Sequence, residues 1–442
     1  METIFDPRAP EVLRRLNGAG YEAFLVGGCV RDALRQVPPH DYDVTTSALP
    51  EQVQAVFPDA AVIGTGLKHG TVTVLWRGLP VEVTTYRVDG GYSDGRHPDA
   101  VRFSSSLEED LARRDLTVNA MAWNPDRGLQ DPFGGRSDLE DGILRCVGDP
   151  RLRFTEDALR ILRVLRFAAV IGFSVEENTA RAARELRDRL QLVSAERIRE
   201  ELDKLLCGEF CFPVAFAYPD VLGAVLPELL PCVGFDQKNY HHCYDLYTHL
   251  LHAVAAVPPV PVLRWAALLH DIAKPACFSS DERGVGHFYG HAAASAEKAD
   301  RILRRLRFDN ASRERIVTLI RCHDAPLDDS PAAVRRKLNK LGEEGFFQLL
   351  ALQRADTLSL APAYRSRTQI ADRAEEQARR ILEEKQCFSL RDLAVNGRDL
   401  TALGYTGARV GAALSFLLDG VLEGSVSNRR EDLLEYLKRQ DG

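Results

Sequence analysis

The sequence predicts an α+β protein, a head built on a mixed sheet with helices followed by an all-helical remainder. Three observations carry this. Short apolar runs of strand length alternate with helical stretches only over residues 20 to about 145. From about 150 onward, apolar residues recur at helical spacing instead. At 442 residues the chain exceeds one compact core. We divide it into a mixed α/β head (1–145), a helical neck (146–234), a third helical segment (235–375) and a helical tail (376–442).

METIFDPRAPEVLRRL reads as an amphipathic helix, without the basic-then-apolar order of an export leader. YEAFLVGG, DYDVTT, TVTVLW and VEVTTYR read as strands, RGLP as the hairpin turn between the last two, and a helix begins at Gly27-Gly28. Downstream, TEDALRILRVLRFAAV reads as one continuous helix, joined by AARELRDRL, AERIREELDKLL, LRWAALLHDIA, AAASAEKADRILRRL and EEQARRILEEK. VPPVP at 257–261 and FSSDERGVG at 278–286 read as loops.

A net charge of −7 argues against a surface coated with basic groups, so any RNA contact is local. One arginine stripe at positions 145, 151, 153, 160, 163 and 166 offers such a place. Nine cysteines form no C-x-x-C pair, which points to a reducing cytoplasm rather than a disulfide framework. No apolar run reaches spanning length, so no membrane is expected as a partner.

LVGGCVRDALRQVPPHDYDVTT joins a strand, a glycine pair, a helix and a second strand. Gly28 at the helix start lets backbone amides approach a phosphate, and Arg31 can hold one bidentately. Asp41 and Asp43, two apart on a strand, aim their carboxylates to one face, where two Mg2+ ions can sit close together. One such ion acidifies an attacking hydroxyl while the other steadies a leaving pyrophosphate.

The combination resembles the class II branch of the CCA-adding tRNA nucleotidyltransferase and poly(A) polymerase family, within the polymerase β superfamily. The resemblance implies tRNA, CTP and ATP as partners, and not DNA. It gives Glu82, on VEVTTYR, the part of a third metal carboxylate. RRDLTVNA matches a family segment in which Arg114 would touch the triphosphate while Asp115 and Asn119 shape the sugar pocket. DPFGGRSDLEDGILR matches a hinge, with Gly134 and Gly135 supplying its freedom. EDALR matches the amino-acid template, so Asp157 and Arg160 would read the base, and Arg163 and Arg166 would contact phosphates.

The chemistry of that pair agrees. On one helical face, a carboxylate beside a guanidinium offers an acceptor next to a donor. That complements N4 and N3 of cytosine and equally N6 and N1 of adenine. Guanine and uracil present the reverse and would leave both protein groups unpaired, a penalty on the order of 10³-fold in a dry site.

A second constellation follows: His249, LLHDIAKP with His270 and Asp271, YGHAAA with His291, IRCHD with His323, and RADTLS with Asp356. Histidine nitrogens and carboxylates in this number suit Mn, Ni, Fe or Co. The set resembles the HD-domain phosphohydrolases, in which His249, His270, Asp271 and Asp356 would hold one ion, His291 and His323 a second, and Lys274 a phosphate oxygen. The tail segment SLRDLAVNGRDLTALGYTGARVGAALSFLL resembles the element placed near the tRNA elbow. A poly(A) polymerase, or an enzyme adding only part of CCA, would carry the same catalytic residues. RVDGGYSDGRHPDAVRF resembles a flexible loop of the full CCA-adding members. The intact Asp41 and Asp43 argue against an HD phosphohydrolase whose head merely binds RNA, and a non-catalytic RNA-binding scaffold would be expected to have broken ligand sets, of which there are none.

Overall fold

The computed structural model describes residues 2–66, 70–89 and 101–439. The chain forms two compact units, Met1–Pro227 and Glu228–Gly442.

In the first unit, the strands β1 (Ala23–Val26), β2 (Tyr42–Thr46), β3 (Ala61–Gly66), β4 (Thr71–Trp76), β5 (Leu79–Thr85), β6 (Arg87–Asp89), β7 (Val101–Phe103), β8 (Ala122–Asn124) and β9 (Gly128–Gln130) follow one another along the chain. Seven of them make one mixed sheet in the order β3-β4-β5-β2-β1-β8-β9, while β6 and β7 pair separately. β1 is buried along its whole length. Ala23 and Leu25 join one core, and Phe24 and Val26 another. That is why AFLV reads as unbroken apolar sequence while β4 alternates. The expected hairpin turns at Arg77 and Gly78, both with positive φ (47° and 84°), as a tight two-residue connection requires.

Helices α1 (Arg8–Gly18), α2 (Gly28–Leu34), α3 (Pro50–Val56), α4 (Leu107–Ala112) and α5 (Gly135–Asp141) accompany the sheet. Val12, Leu13 and Leu16 of α1, with Val30 and Ala33 of α2, join Val44, Val72, Val74, Val81 and Val83 in one core. The unit continues through α6 (Pro150–Glu156), α7 (Leu159–Ile171), α8 (Glu177–Glu185), α9 (Ala195–Leu206), α10 (Cys211–Ala217) and α11 (Pro219–Val225).

Two expectations need correction here. TEDALRILRVLRFAAV is not one helix. Asp157 is extended (φ −138°, ψ 105°), and α6 ends before it. Its carboxylate accepts from the Leu159 amide at 3.0 Å, so it serves as a local cap, a role that competes with helix interior. The Gly134-Gly135 pair is also not uniformly free. Gly134 takes the left-handed conformation (φ 72°), but a Cβ at Gly135 would lie 2.2 Å from the Thr117 carbonyl oxygen. The second glycine is there for close approach.

The second unit is helical, with α12 (Leu246–Ala256), α13 (Pro261–Leu269), α14 (His291–Arg305), α15 (Asn310–Cys322), α16 (Pro331–Leu358), α17 (Thr368–Glu383), α18 (Gly397–Ala402), α19 (Ala408–Glu423) and α20 (Arg430–Lys438). α16 is two helices joined at Gly342 (φ 71°, ψ 170°). Leu400, Leu417, Leu433 and Leu437 form a separate small core for the tail. The segment 278–286, expected to be a loop, contributes β12 (Ser279–Ser280), which pairs with β13 (Gly286–His287). Between β9 and β12, the described strands are β10 (Ile143–Leu144) and β11 (Ser174–Val175), a parallel pair in the first unit. Among the described residues, no helix is long and apolar enough to cross a membrane.

Candidate active site and candidate metal centre

β2 runs parallel to β5 with Asp43 opposite Glu82, so both carboxylates leave the same face of the sheet. Asp41 precedes β2 and is exposed. Burial raises the Asp43 pKa; Arg114 opposes that, and the like charges of Glu82 and Asp41 add to it. A cluster of three acids answered by one arginine is a place where divalent cations fit.

Gly27 brings the next groups in. Its φ is 78°, and a Cβ there would meet Arg114 Nη1 at 3.1 Å and Asp43 Oδ2 at 3.7 Å. Glycine therefore keeps open the space between the acid and the arginine. Gly28 starts α2, with Arg31 Nη2 3.7 Å from where its Cβ would stand. Arg31 itself is occupied. It donates to Asn119 Oδ1 at 2.8 Å and to Asp32 at 2.9 Å.

From Asn119 the polar chain runs on. Asn119 donates to Asp115 Oδ1 at 3.2 Å, and Arg163 reaches Asp115 Oδ2 at 2.6 Å. Burial would raise the Asp115 pKa, but Arg163, with Arg160 and Asn119, holds it well below the usual carboxylate range. The same charge raises the pKa of Arg163. Arg166 pairs with Glu201 of α9 at 2.5 Å and lies 3.9 Å from the Phe167 ring centroid. The expected phosphate ligands of α7 are thus engaged inside the protein.

Asp157 and Arg160 do not pair with each other, contrary to the expectation of a shared helical face. Asp157 bonds Arg197 of α9 at 2.7 Å. Arg160 bonds Glu156 at 2.7 Å and the Arg113 carbonyl at 2.9 Å. Three groups escaped the sequence reading: Arg197, Glu201 and Asp110. Asp110, fully buried, accepts from Thr45 at 2.9 Å and from Arg113 at 2.7 Å, and lies 3.6 Å from Arg114. Arg197 and Glu201 meet partners some 35 to 40 residues away, and Asp110 meets Thr45 65 residues away, so no local pattern announces these contacts. β6 and β7 pair as the stem of RVDGGYSDGRHPDAVRF, and residues 90–100 of that expected loop lie outside the described residues.

In the second unit, His249 comes from α12, His291 opens α14 and Asp356 lies in the last turn of α16. His270 and His323 are the C-caps of α13 and α15. Asp271 therefore sits just past its helix rather than within it. Two groups have ligand atoms all within 4.8 Å of one another: His249, His270, Asp271 and Asp356, and Asp271, His291 and His323. Asp271 is common to both. Its Oδ2 lies 3.3 Å from His270 Nε2 and 3.5 Å from His249 Nε2, while Oδ1 lies 3.2 Å from His291 Nε2 and 3.3 Å from His323 Nε2. The Asp41, Asp43 and Glu82 carboxylates are not among the described groups drawn this close.

Three of these rings are fixed from behind. Nδ1–H of His270, His291 and His323 donates to the carbonyls of Ala267, Phe288 and Ile320 at 2.8, 2.8 and 2.6 Å. A carbonyl can only accept, so Nδ1 carries the hydrogen and Nε2 faces the shared aspartate. Asp271 Oδ1 is buried without a hydrogen bond of proper geometry. Burial lowers the His270 pKa, yet Asp271 and Asp356 outweigh it and push it up to about 10. The cluster calls for positive charge, and its nitrogen and oxygen donors suit divalent transition metals. Lys274 supplies one such charge, with Nζ 2.6 Å from Asp271 Oδ2 and 3.1 Å from Gln237.

The chain matches the poly A polymerase head domain over residues 23–145, a polymerase A segment named for RNA and SrmB binding over 172–213, and tRNA nucleotidyltransferase domain 2 over 278–437. The CCA-adding enzyme of Limosilactobacillus fermentum is 42% identical over 242 residues, 55% of this chain and 56% of that one. That of Leuconostoc mesenteroides is 47% identical over 200 residues, 45% of this chain and 49% of the other. The matched region thus spans about half the length of these curated relatives. The crystal structure of the Bacillus stearothermophilus CCA-adding enzyme in complex with CTP is 30% identical, with TM-score 0.72, covering 98% of this chain and 97% of that one. The Thermotoga maritima CCA-adding enzyme complexed with tRNA shares the fold at 20% identity, with TM-score 0.62, covering 98% and 94% of the two chains.

Proposed function

Because this chain belongs to the CCA-adding enzyme family, we propose that it extends the 3′ end of tRNA with CMP and AMP taken from CTP and ATP in the cytoplasm. The observation that carries the reading is the pairing of Asp43 with Glu82 across β2 and β5, beside Gly27 and Arg114.

Two Mg2+ ions held by Asp41, Asp43 and Glu82 would supply activation of the primer hydroxyl and charge for the departing pyrophosphate. Gly27 and Gly28 leave room for the triphosphate, and Arg114 and Arg31 neutralise it. Asp115 and Asn119, tied together at 3.2 Å, present a fixed wall to the sugar. Asp157 and Arg160 read the base edge once they leave Arg197 and Glu156, and Arg163 and Arg166 exchange Asp115 and Glu201 for phosphate. The four segments 1–145, 146–234, 235–375 and 376–442 then serve catalysis, base choice, a metal centre and tRNA contact.

The test uses tRNA transcripts ending before C, after C and after CC, offered CTP and ATP separately and together. The expected result is stepwise C, C and A. AMP runs without CMP, or arrest after CC with ATP present, would replace the reading with that of a poly(A) polymerase or a partial enzyme.

A second reading rests on the histidine–aspartate centre. With Mn, Ni, Fe or Co bound there, it hydrolyses small phosphoesters, most plainly 2′,3′-cyclic phosphates. The metal ions would supply polarised water and phosphoryl oxygens. His270, His291 and His323 hold the donor geometry, and Lys274 faces the phosphate. Combined His270→Ala and Asp271→Ala should remove this hydrolysis and leave CCA addition intact; equal turnover in that variant would reduce the segment to a tRNA-holding body.

A further inference from the structure

A cavity of about 550 Å3 opens over the histidine–aspartate centre. Asp271, His291, His323 and Asp356 line its floor, and Tyr289 and Arg367 stand among its walls. Tyr289 is 80% exposed, so most of its ring is open to solvent at the rim of a buried polar site.

Its position is nevertheless fixed. His287 lies on β13 in register with Ser279, and its Nε2 is 3.3 Å from Asp281 Oδ2. The His287 ring is stacked on Tyr289, with centroids 5.5 Å apart and planes 8° apart. Gly290, in the left-handed conformation (φ 75°), turns the chain into α14, whose first residue is His291. The Phe288 carbonyl holds the His291 ring, so one short strap carries both the stacked pair and a member of the metal centre. The two residues from Tyr289 to His291 span about 7 Å at most, comparable to the reach from phosphate to base within one nucleotide.

We propose that Tyr289, backed by His287, is a stacking platform for the base of a nucleotide whose phosphoester is hydrolysed at the Asp271 centre. The inference rests on the hydrolytic reading above and names its substrate class and a specificity-determining residue. Stacking on a ring is indifferent to base identity, since every base has a π-face, so all four bases are accepted. In the step itself, a water oxygen bonds to phosphorus as the P–O3′ bond of a 2′,3′-cyclic phosphate breaks. One water proton ends on O3′ and the other passes to solvent, leaving a 2′-phosphate. The substrate is a free cyclic nucleotide or the last nucleotide of an RNA, which share this chemistry.

The experiment compares full-length protein with Mn2+ on 2′,3′-cyclic UMP, on an RNA ending in uridine 2′,3′-cyclic phosphate, and on methyl riboside 2′,3′-cyclic phosphate, which lacks a base. Uridine keeps the head's CTP and ATP site out of the readout. The wild type should show a KM about 10-fold lower for the uridine substrate than for the base-free one. Tyr289→Ala should erase that difference with kcat unchanged, and Tyr289→Trp should restore it. Preference for the RNA over free cyclic UMP identifies the terminus as the source, and the reverse identifies the free nucleotide. Equal KM values in the wild type, or a Tyr289→Ala effect of the same size on the base-free substrate, overturns the platform. If neither substrate turns over, the hydrolytic reading fails. The platform is then read from calorimetric binding of UMP against ribose 5-phosphate: equal affinities, or no change in Tyr289→Ala, overturn it too.

Discussion

The two candidate centres treat their polar groups in opposite ways. In the first unit, the groups assigned to the nucleotide already have protein partners: Arg31 with Asn119, Arg163 with Asp115, Arg166 with Glu201, Asp157 with Arg197 and Arg160 with Glu156. In the second, three imidazoles are locked from behind by carbonyls, and their Nε2 atoms converge on one aspartate. The first arrangement suits a site that accepts two different bases in turn, because each contact is an exchange of partners rather than the filling of a void. The second suits ions, which demand fixed donors.

Asp43→Ala should break the comparison most sharply. CMP and AMP incorporation should both fall by on the order of 10³-fold or more, while hydrolysis of cyclic phosphate and thermal stability stay near wild type. Near-normal addition with intact tRNA binding would remove the two-metal assignment.

Next come the exchangeable pairs. Asp157→Ala and Arg160→Ala should admit UTP or GTP while use of CTP and ATP drops, a change of about 10- to 100-fold in relative kcat/KM. Arg197→Ala removes only the resting partner of Asp157 and keeps both base-reading groups, so it should change the preference far less. Unchanged preference in all three would place base reading elsewhere.

A smaller effect is expected on stability, and it has a definite sign. The Asp115 pKa is lowered in the folded protein, so the group contributes stability above its unfolded value of about 3.9, and that contribution is lost as pH falls below it. Asp115→Asn should therefore melt lower at pH 7, by about 2 kcal/mol, and lose less than wild type on acidification toward pH 3. Parallel pH curves for the two proteins would contradict the pairing with Arg163.

The smallest expected effect separates the two glycines of the hinge-like element. Gly135→Ala places a Cβ 2.2 Å from the Thr117 oxygen and should cost about 2 kcal/mol by overpacking, while Gly134→Ala, strained only in backbone, should cost about 1 kcal/mol. Chemical denaturation of both variants decides the order.

Legibility followed the range of the interactions. The strands read from AFLV, DYDVTT, TVTVLW and VEVTTYR all formed, because periodicity and the Arg77-Gly78 turn are local signals. β3, β8 and β9 did not announce themselves. β3 carries two glycines and a register shift between Ile63 and Gly66, and β8 and β9 are three residues each. The histidines and aspartates of the second centre could be picked from the sequence by residue type, and all six lie in the two close groups that share Asp271. What the sequence hid was who pairs with whom. Helical spacing put Asp157 and Arg160 side by side on one face, but the break before α7 sends each to a different partner, and Arg197 is visible only once α9 packs on α7.

The parallel pairing of β2 with β5 has a consequence for how this protein tolerates change. Asp43 and Glu82 share a face only while that register holds, and a slip of one residue would turn Glu82 into the core and expose Val81 or Val83 in its place. Insertions between the strands are absorbed by the connecting chain, but a single-codon deletion within Leu79–Glu82 would carry the third acid to the wrong side of the sheet. Length variants in this lineage should therefore collect on either side of that short stretch and spare the stretch itself.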